Sequence, residues 1–206
     1  MKRREALKNI GIGFGTIVLT PSAIALLQKC QRNPDYLPVT FLDGKFEVLS
    51  ELMELILPET KPPADLDFPN PIESIPGAKE LKLPEFVDSY VHGVLPQEEL
   101  DEVLKGFDAF IEQTLIDSTK ESIQEINEED LDNQLKKHLD SQPDHISPED
   151  MEPAQRFAHQ LRSISVEAFK TNEYIGEQIL AYSPIPGRHV GCIDLKEATG
   201  GRAWSL

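Results

Sequence analysis

His159, Arg162 and Glu167 stand close together in the chain, and their types could form an acid–base cluster: an imidazole to move a proton, a carboxylate to orient it and a guanidinium to hold an anion. On a helix surface, side chains of these types are ordinarily solvated, so the spacing alone carries little. His189 and Cys192 lie three apart in a turn, a separation that two metal ligands can use. No second pair of ligands accompanies them, and no Cys-x-x-Cys or repeated His/Cys spacing occurs elsewhere. They could also act as a nucleophile and its base, but neither an orienting group nor an oxyanion hole is visible nearby. Paired acids such as Glu98-Glu99 and Glu128-Glu129-Asp130 are too common in this acidic chain to mean anything. Gly200-Gly201 follows no strand and opens no helix, so it is not a phosphate cradle. The sequence thus predicts no catalytic residue, no metal and no cofactor held by this chain.

The amino terminus has a different purpose. Lys2, Arg3 and Arg4 precede an uncharged run from Asn9 to Gln28, the layout of an export signal. Arg3-Arg4-Glu5-Ala6-Leu7-Lys8 resembles the twin-arginine motif, with Leu7 and Lys8 at the expected places. Gly11, Gly13 and Gly15 dilute the apolar run, and Pro21 interrupts it. Ala23-Ile24-Ala25 gives an Ala-x-Ala pattern, which places cleavage after Ala25. A rival is lipidation of Cys30, since Leu27-Gln28-Lys29-Cys30 loosely resembles a lipobox, although Lys29 fits it poorly. The uncharged stretch from Ile10 to Leu27 is also near the lower limit for a membrane span. The expected location is therefore periplasmic, by the twin-arginine route, with attachment through the leader or a lipidated Cys30 left open.

Residues 1–32 hold six bases and one acid, so the remainder carries 14 Lys and Arg against 35 Asp and Glu, a net charge of −21. Such a surface repels phosphate backbones and anionic headgroups, which argues against nucleic acid or a membrane surface as partner. Hydrophobic residues make up 39% of the chain, enough for a core. Of the two cysteines, Cys30 and Cys192, either they pair after export or Cys30 is lipidated or lost with the leader.

The remaining residues, 33–206, read as one helical domain. After Asp43, a reasonable N-cap, Phe46, Leu49, Leu52, Met53, Ile56 and Leu57 recur at helical steps until Pro58 stops them. Residues 58–76 contain six prolines and form a long loop or arm. Pro84 opens a short helix lined by Phe86, Val87, Tyr90, Val91 and Val94. Pro96 opens a longer one with Leu100, Val103, Leu104, Phe107, Phe110 and Ile111. Segment 118–146 is acidic and weakly patterned, with narrow stripes that suggest a peripheral helix pair. Ser147-Pro148-Glu149-Asp150 reads as a helix start, followed by Ala154, Phe157, Ala158, Leu161, Ile164, Ser165, Ala168 and Phe169. Asn172 is placed to pause that helix, and Ile175, Ile179 and Leu180 line a last short one. No window alternates as a strand does. The expectation is an all-α, irregular bundle of about five to seven helices.

The tail, residues 182–206, is rich in Pro and Gly yet holds Tyr182, Val190, Ile193 and Trp204. An apolar, turn-rich tail packs against its own domain or against a partner. Tyr and Trp beside Arg188 and Arg202 are also the types that anchor interfaces.

Four stretches together resemble the small subunit of gluconate 2-dehydrogenase, the subunit 3 family. They are the leader, "LSELMELILPET" with its proline-rich sequel, "PGAKELKLPEFVDSYV", and "FKTNEYIGEQILAYSPIPGRHVGCIDL". The resemblance covers roughly half of the chain and leaves the acidic middle aside. It implies a non-catalytic partner of a large subunit of the glucose–methanol–choline type. That subunit would hold FAD, oxidise a sugar, sugar acid or polyol, and often pass electrons to a cytochrome c. The small subunit would carry the export signal to the twin-arginine translocase for both chains. The resemblance also implies roles in turns or the partner-facing surface for Pro58, Glu59 and Thr60, for Pro84, Glu85 and Phe86, and for Pro186, Gly187, Arg188, Gly191 and Cys192. Trp204 joins these as an aromatic of the tail. Two rivals are a free-standing exported binding module or lipoprotein, and an enzyme built around His189 and Cys192.

Replacing Arg3 and Arg4 by lysine is expected to hold the chain in the cytoplasm, as read by cell fractionation. Normal periplasmic levels of the double variant would exclude the twin-arginine route.

Overall fold

The apolar residues that recur from Phe46 to Leu57 wind into α1 (Lys45–Ile56), which buries Val48, Leu49, Leu52 and Met53 and ends just ahead of Pro58. Asp43 does not cap it. Asp43 and Gly44 both take left-handed backbone conformations (φ 57° and 84°), Gly44 is the N-cap, and no side chain bonds the helix start. The computed structural model describes residues 36–140, 150–183, 187 and 192–205.

Pro84 sits in the first turn of α2 (Leu83–Val94), where its missing N–H has no intrahelical partner to lose. Pro96 is the N-cap of α3 (Gln97–Ser118). The acidic middle forms a 3₁₀ turn (Ile123–Glu125) and one helix, α4 (Glu128–Leu139). Asn127 and Asp130 close a reciprocal capping box at its start. That bond and Lys120 hold the Asp130 carboxyl below its ordinary range. α4 is not peripheral, because Leu131 and Leu135 belong to the core. Their burial contributes roughly 1.5–3 kcal/mol each. α5 (Pro153–Thr171) begins at Pro153 with Glu152 as N-cap, later than the Ser147-Pro148 reading, whose residues 147–149 lie outside the described ones. Asn172 ends it and its side chain accepts from the Tyr174 and Ile175 amides, which starts a π-helical turn (Ile175–Ile179). A short α6 (Leu195–Thr199) follows.

There is no strand or sheet among the described residues, and the all-α expectation holds. Residues Pro38–Leu206 make one compact unit; Tyr36 and Leu37 are the only described residues of the other, Met1–Leu37. α5 packs against α1, α2, α3 and α4, most extensively against α3. The two helices meet tightly at Gly106, where a Cβ would lie 2.9 Å from Phe157 Cβ and 3.0 Å from the Pro153 carbonyl. Glycine costs about 1 kcal/mol in a helix interior, and here it lets Phe107 meet Phe157 edge-on at 5.1 Å. Phe41 extends the cluster, edge-on to Phe107 at 5.0 Å.

Phe41 belongs to no helix. It is held by Asp88, a carboxylate with no exposed surface on α2. Asp88 Oδ2 accepts from the Val39 amide at 2.7 Å, and Oδ1 accepts from the amides of Thr40 (3.0 Å) and Phe41 (2.9 Å). The Thr40 hydroxyl donates to the Asp88 backbone carbonyl at 2.9 Å. A buried carboxylate is tolerated only when its charge is answered by donors, and three successive backbone amides do that here.

A second buried polar group joins α3 and α4. Gln134 Nε2 donates to Gln113 Oε1 at 3.2 Å and lies 3.0 Å from His138 Nε2, where a neutral imidazole accepts. Burial holds His138 below its ordinary range, with the Lys137 charge and His159 acting the same way and Asp117 opposing them.

Asp88→Asn places an amide donor against backbone donors. It is expected to destabilise by about 2–4 kcal/mol in denaturant unfolding, and a loss below about 1 kcal/mol would contradict the clamp. For His138, the unfolded chain binds its proton more tightly than the folded one. Its contribution is thus full above the ordinary value of about 6.5 and is lost as pH falls through the folded-state value. The unfolding midpoint should fall from pH 7 to 5.5, and His138→Gln should flatten that slope. An unchanged slope in the variant would assign it to other groups.

Candidate partner interface

The clamp on Phe41 leaves an apolar groove of about 390 Å³ between α2, α3 and α5. Phe41, Leu49, Val87, Val91, Phe157 and Leu161 make its floor, and all are buried. Its rim is polar and single-signed, with Glu99 and Glu102 from α3 and Glu167 from α5, beside Tyr90, Gln160 and Ser163. None of these three carboxylates takes part in an ion pair among the described residues. Next to the groove, α2 carries a second apolar line. Phe86 stacks on Tyr90 at 5.8 Å, and Val94 lies one step further at the same four-residue spacing. Phe86 is 48% exposed and Val94 60%, so neither belongs to the core face on which the sequence placed them with Val87 and Val91. A wider hollow of about 620 Å³ runs between α1 and the start of α4. It is lined by Glu47, Glu51 and Glu128, of which Glu51 is already paired with Lys79 at 2.7 Å.

The proline-rich loop is tied at its base by Thr60 and Ile75, whose amides and carbonyls exchange two bonds of 3.0 and 2.7 Å. Pro58, Glu59 and Thr60 are exposed at that base, and Pro84 is buried with Glu85 half-buried beside it. The described part of the tail packs on its own domain. The Asp67 amide donates to the Gly200 carbonyl at 2.9 Å, and Ala181 bonds both Ala203 and Ser205. Gly200 needs to be glycine, since its φ is 68° and a Cβ would come within 2.6 Å of the Asp67 carbonyl. Arg202 Nη1 donates to the Leu180 carbonyl at 2.7 Å, and its guanidinium sits 5.9 Å from the Phe68 ring. Even so, the side chains of Tyr182, Ile193 and Trp204 face outward.

The acid–base cluster read from the sequence does not assemble at the groove. Glu167 stands on the rim, whereas His159 does not line it and has a buried Nε2 without a protein hydrogen bond. Cys192 and Gly187 are exposed. Arg3, Arg4, Leu7, Lys8, Ala23, Ala25, Cys30, Pro186, Arg188, His189 and Gly191 lie outside the described residues. Among the described residues no group of three or more His, Cys, Asp or Glu could hold a metal ion, and no helix is long and apolar enough to cross a membrane.

The sequence reading missed Asp88 and Glu102, and set Glu99 aside as one of many paired acids. One signal for the groove was present: the apolar arc of α2, from Phe86 through Val87 to Tyr90, Val91 and Val94, is wider than a single core face requires.

Compared with known proteins, residues 43–187 match the sequence model of a family described as gluconate 2-dehydrogenase subunit 3. No curated protein and no solved structure matches the chain.

Proposed function

The chain belongs to the gluconate 2-dehydrogenase subunit 3 family, and from that premise we propose that it is the non-catalytic small subunit of an exported flavin-dependent dehydrogenase. The family is one of accessory subunits, and its name implies association with the other gluconate dehydrogenase subunits. The family match over residues 43–187 is the observation that carries the proposal.

The large subunit, of the glucose–methanol–choline type, holds FAD and oxidises a sugar, sugar acid or polyol. Electrons leave through an acceptor such as a cytochrome c. The small subunit binds the large one after its flavin is inserted, stabilises it and lends it the leader with Arg3 and Arg4. The twin-arginine route suits such a pair because it moves folded proteins, and the pair resides in the periplasm. The division of labour rests on chemistry as well. An oxidation at a flavin needs a cofactor cradle, and the chemistry stays with the chain that supplies one. What this chain supplies is an acidic body with an apolar groove and an exposed aromatic line, features of a docking subunit.

The chain, tagged and purified gently from its native envelope fraction, is expected to bring down a large chain and a flavin absorbance band near ~450 nm that tracks it. A colourless, single-chain monomer would contradict the subunit role and favour a free-standing binding module.

A further inference from the structure

We propose that the groove between α2, α3 and α5 is the seat of a basic, apolar segment of the large subunit, and this rests on the subunit reading above. The floor is fully apolar, so whatever enters it brings aliphatic or aromatic surface. The rim offers Glu99, Glu102 and Glu167 without a cation paired to any of them among the described residues. Lys and Arg satisfy both demands at once, since their stems cover apolar surface while the charged head stays at the rim. Tyr90 lines the same groove, its ring stacked on Phe86.

One further observation decides against a small amine as the occupant. Phe86, Tyr90 and Val94 extend the apolar surface along α2 beyond the mouth, and Phe86 and Val94 are largely exposed. A single small molecule would leave that line uncovered, whereas an amphipathic segment laid along α2 covers it while a basic side chain enters the groove. Charge favours the same occupant. Beyond residue 32 the chain has a net charge of −21, so a face that docks on it must be basic where the two meet. The wider acidic hollow beside α1 has no such exposed apolar line among its lining residues, and Lys79 already occupies one of its acids.

The test uses the purified small subunit and the large subunit that purifies with it. Glu99→Gln, Glu102→Gln and Glu167→Gln together are expected to weaken their association at least tenfold at low salt and to flatten its salt dependence, as the loss of three peripheral charge pairs implies. Glu47→Gln, Glu73→Gln and Glu128→Gln together remove the same charge elsewhere and should leave association at the wild-type level. Val94→Glu should weaken it as well, and all variants should keep the wild-type unfolding midpoint. Wild-type affinity in both the first triple variant and Val94→Glu would overturn the inference alone. A wild-type chain that binds no large subunit would overturn the subunit reading and this inference with it.

Discussion

The carboxylate of Asp88 is fully buried on one face of α2 and takes three amide hydrogens from a stretch of chain that has no secondary structure of its own. Those residues, Val39 to Phe41, would otherwise leave three donors without partners at the edge of the core. Once held, Phe41 completes the run of rings through Phe107 and Phe157 that joins α3 to α5. The same placement makes Phe41 part of the groove floor. One buried charge thus determines where the chain enters the domain, how the aromatic core closes and what shape the outer groove has.

An accessory subunit has to be rigid where it is touched. The described tail is fastened by backbone bonds to Asp67 and Ala181 and by Arg202 to the Leu180 carbonyl, so its exposed Trp204 is carried on an ordered support. The proline-rich loop is closed at Thr60 and Ile75, and Gly200 meets it at Asp67. Loops held in this way lose little further entropy when a partner covers them. An excess of acids like that of this chain steers a basic surface toward it, with an effect on encounter larger than that on affinity.

Much of the helical architecture was legible in the sequence because apolar residues at three- and four-residue steps leave few alternatives. α1, α3 and α5 follow the lines of Leu49–Leu52–Met53, Phe107–Phe110–Ile111 and Ala154–Phe157–Leu161. Local signals that compete with one another were less reliable. Asp43 has the side chain of a cap but takes a left-handed conformation, and Gly44 does the capping. Segment 118–146 was hard to read because α4 buries only a narrow stripe, and its capping box at Asn127 and Asp130 lies in a run of acids. Asp88 was invisible for a different reason. One acid among many on an amphipathic helix has no mark until the chain folds back and places three amides against it. The groove rim likewise draws on residues from two helices more than sixty positions apart, a proximity that only packing creates.

Hydrogen–deuterium exchange, compared between the isolated chain and its complex with the large subunit, probes both the clamp and the docking face in one measurement. The account predicts that the amides of Val39 to Phe41 exchange slowly in both states, as buried donors to Asp88 must. It also predicts that the slowing on complex formation is concentrated in α2, the first turns of α3 and the Phe157–Glu167 stretch of α5. Fast exchange at Thr40 and Phe41 in the isolated chain, or slowing confined to α1 and α4, would contradict it.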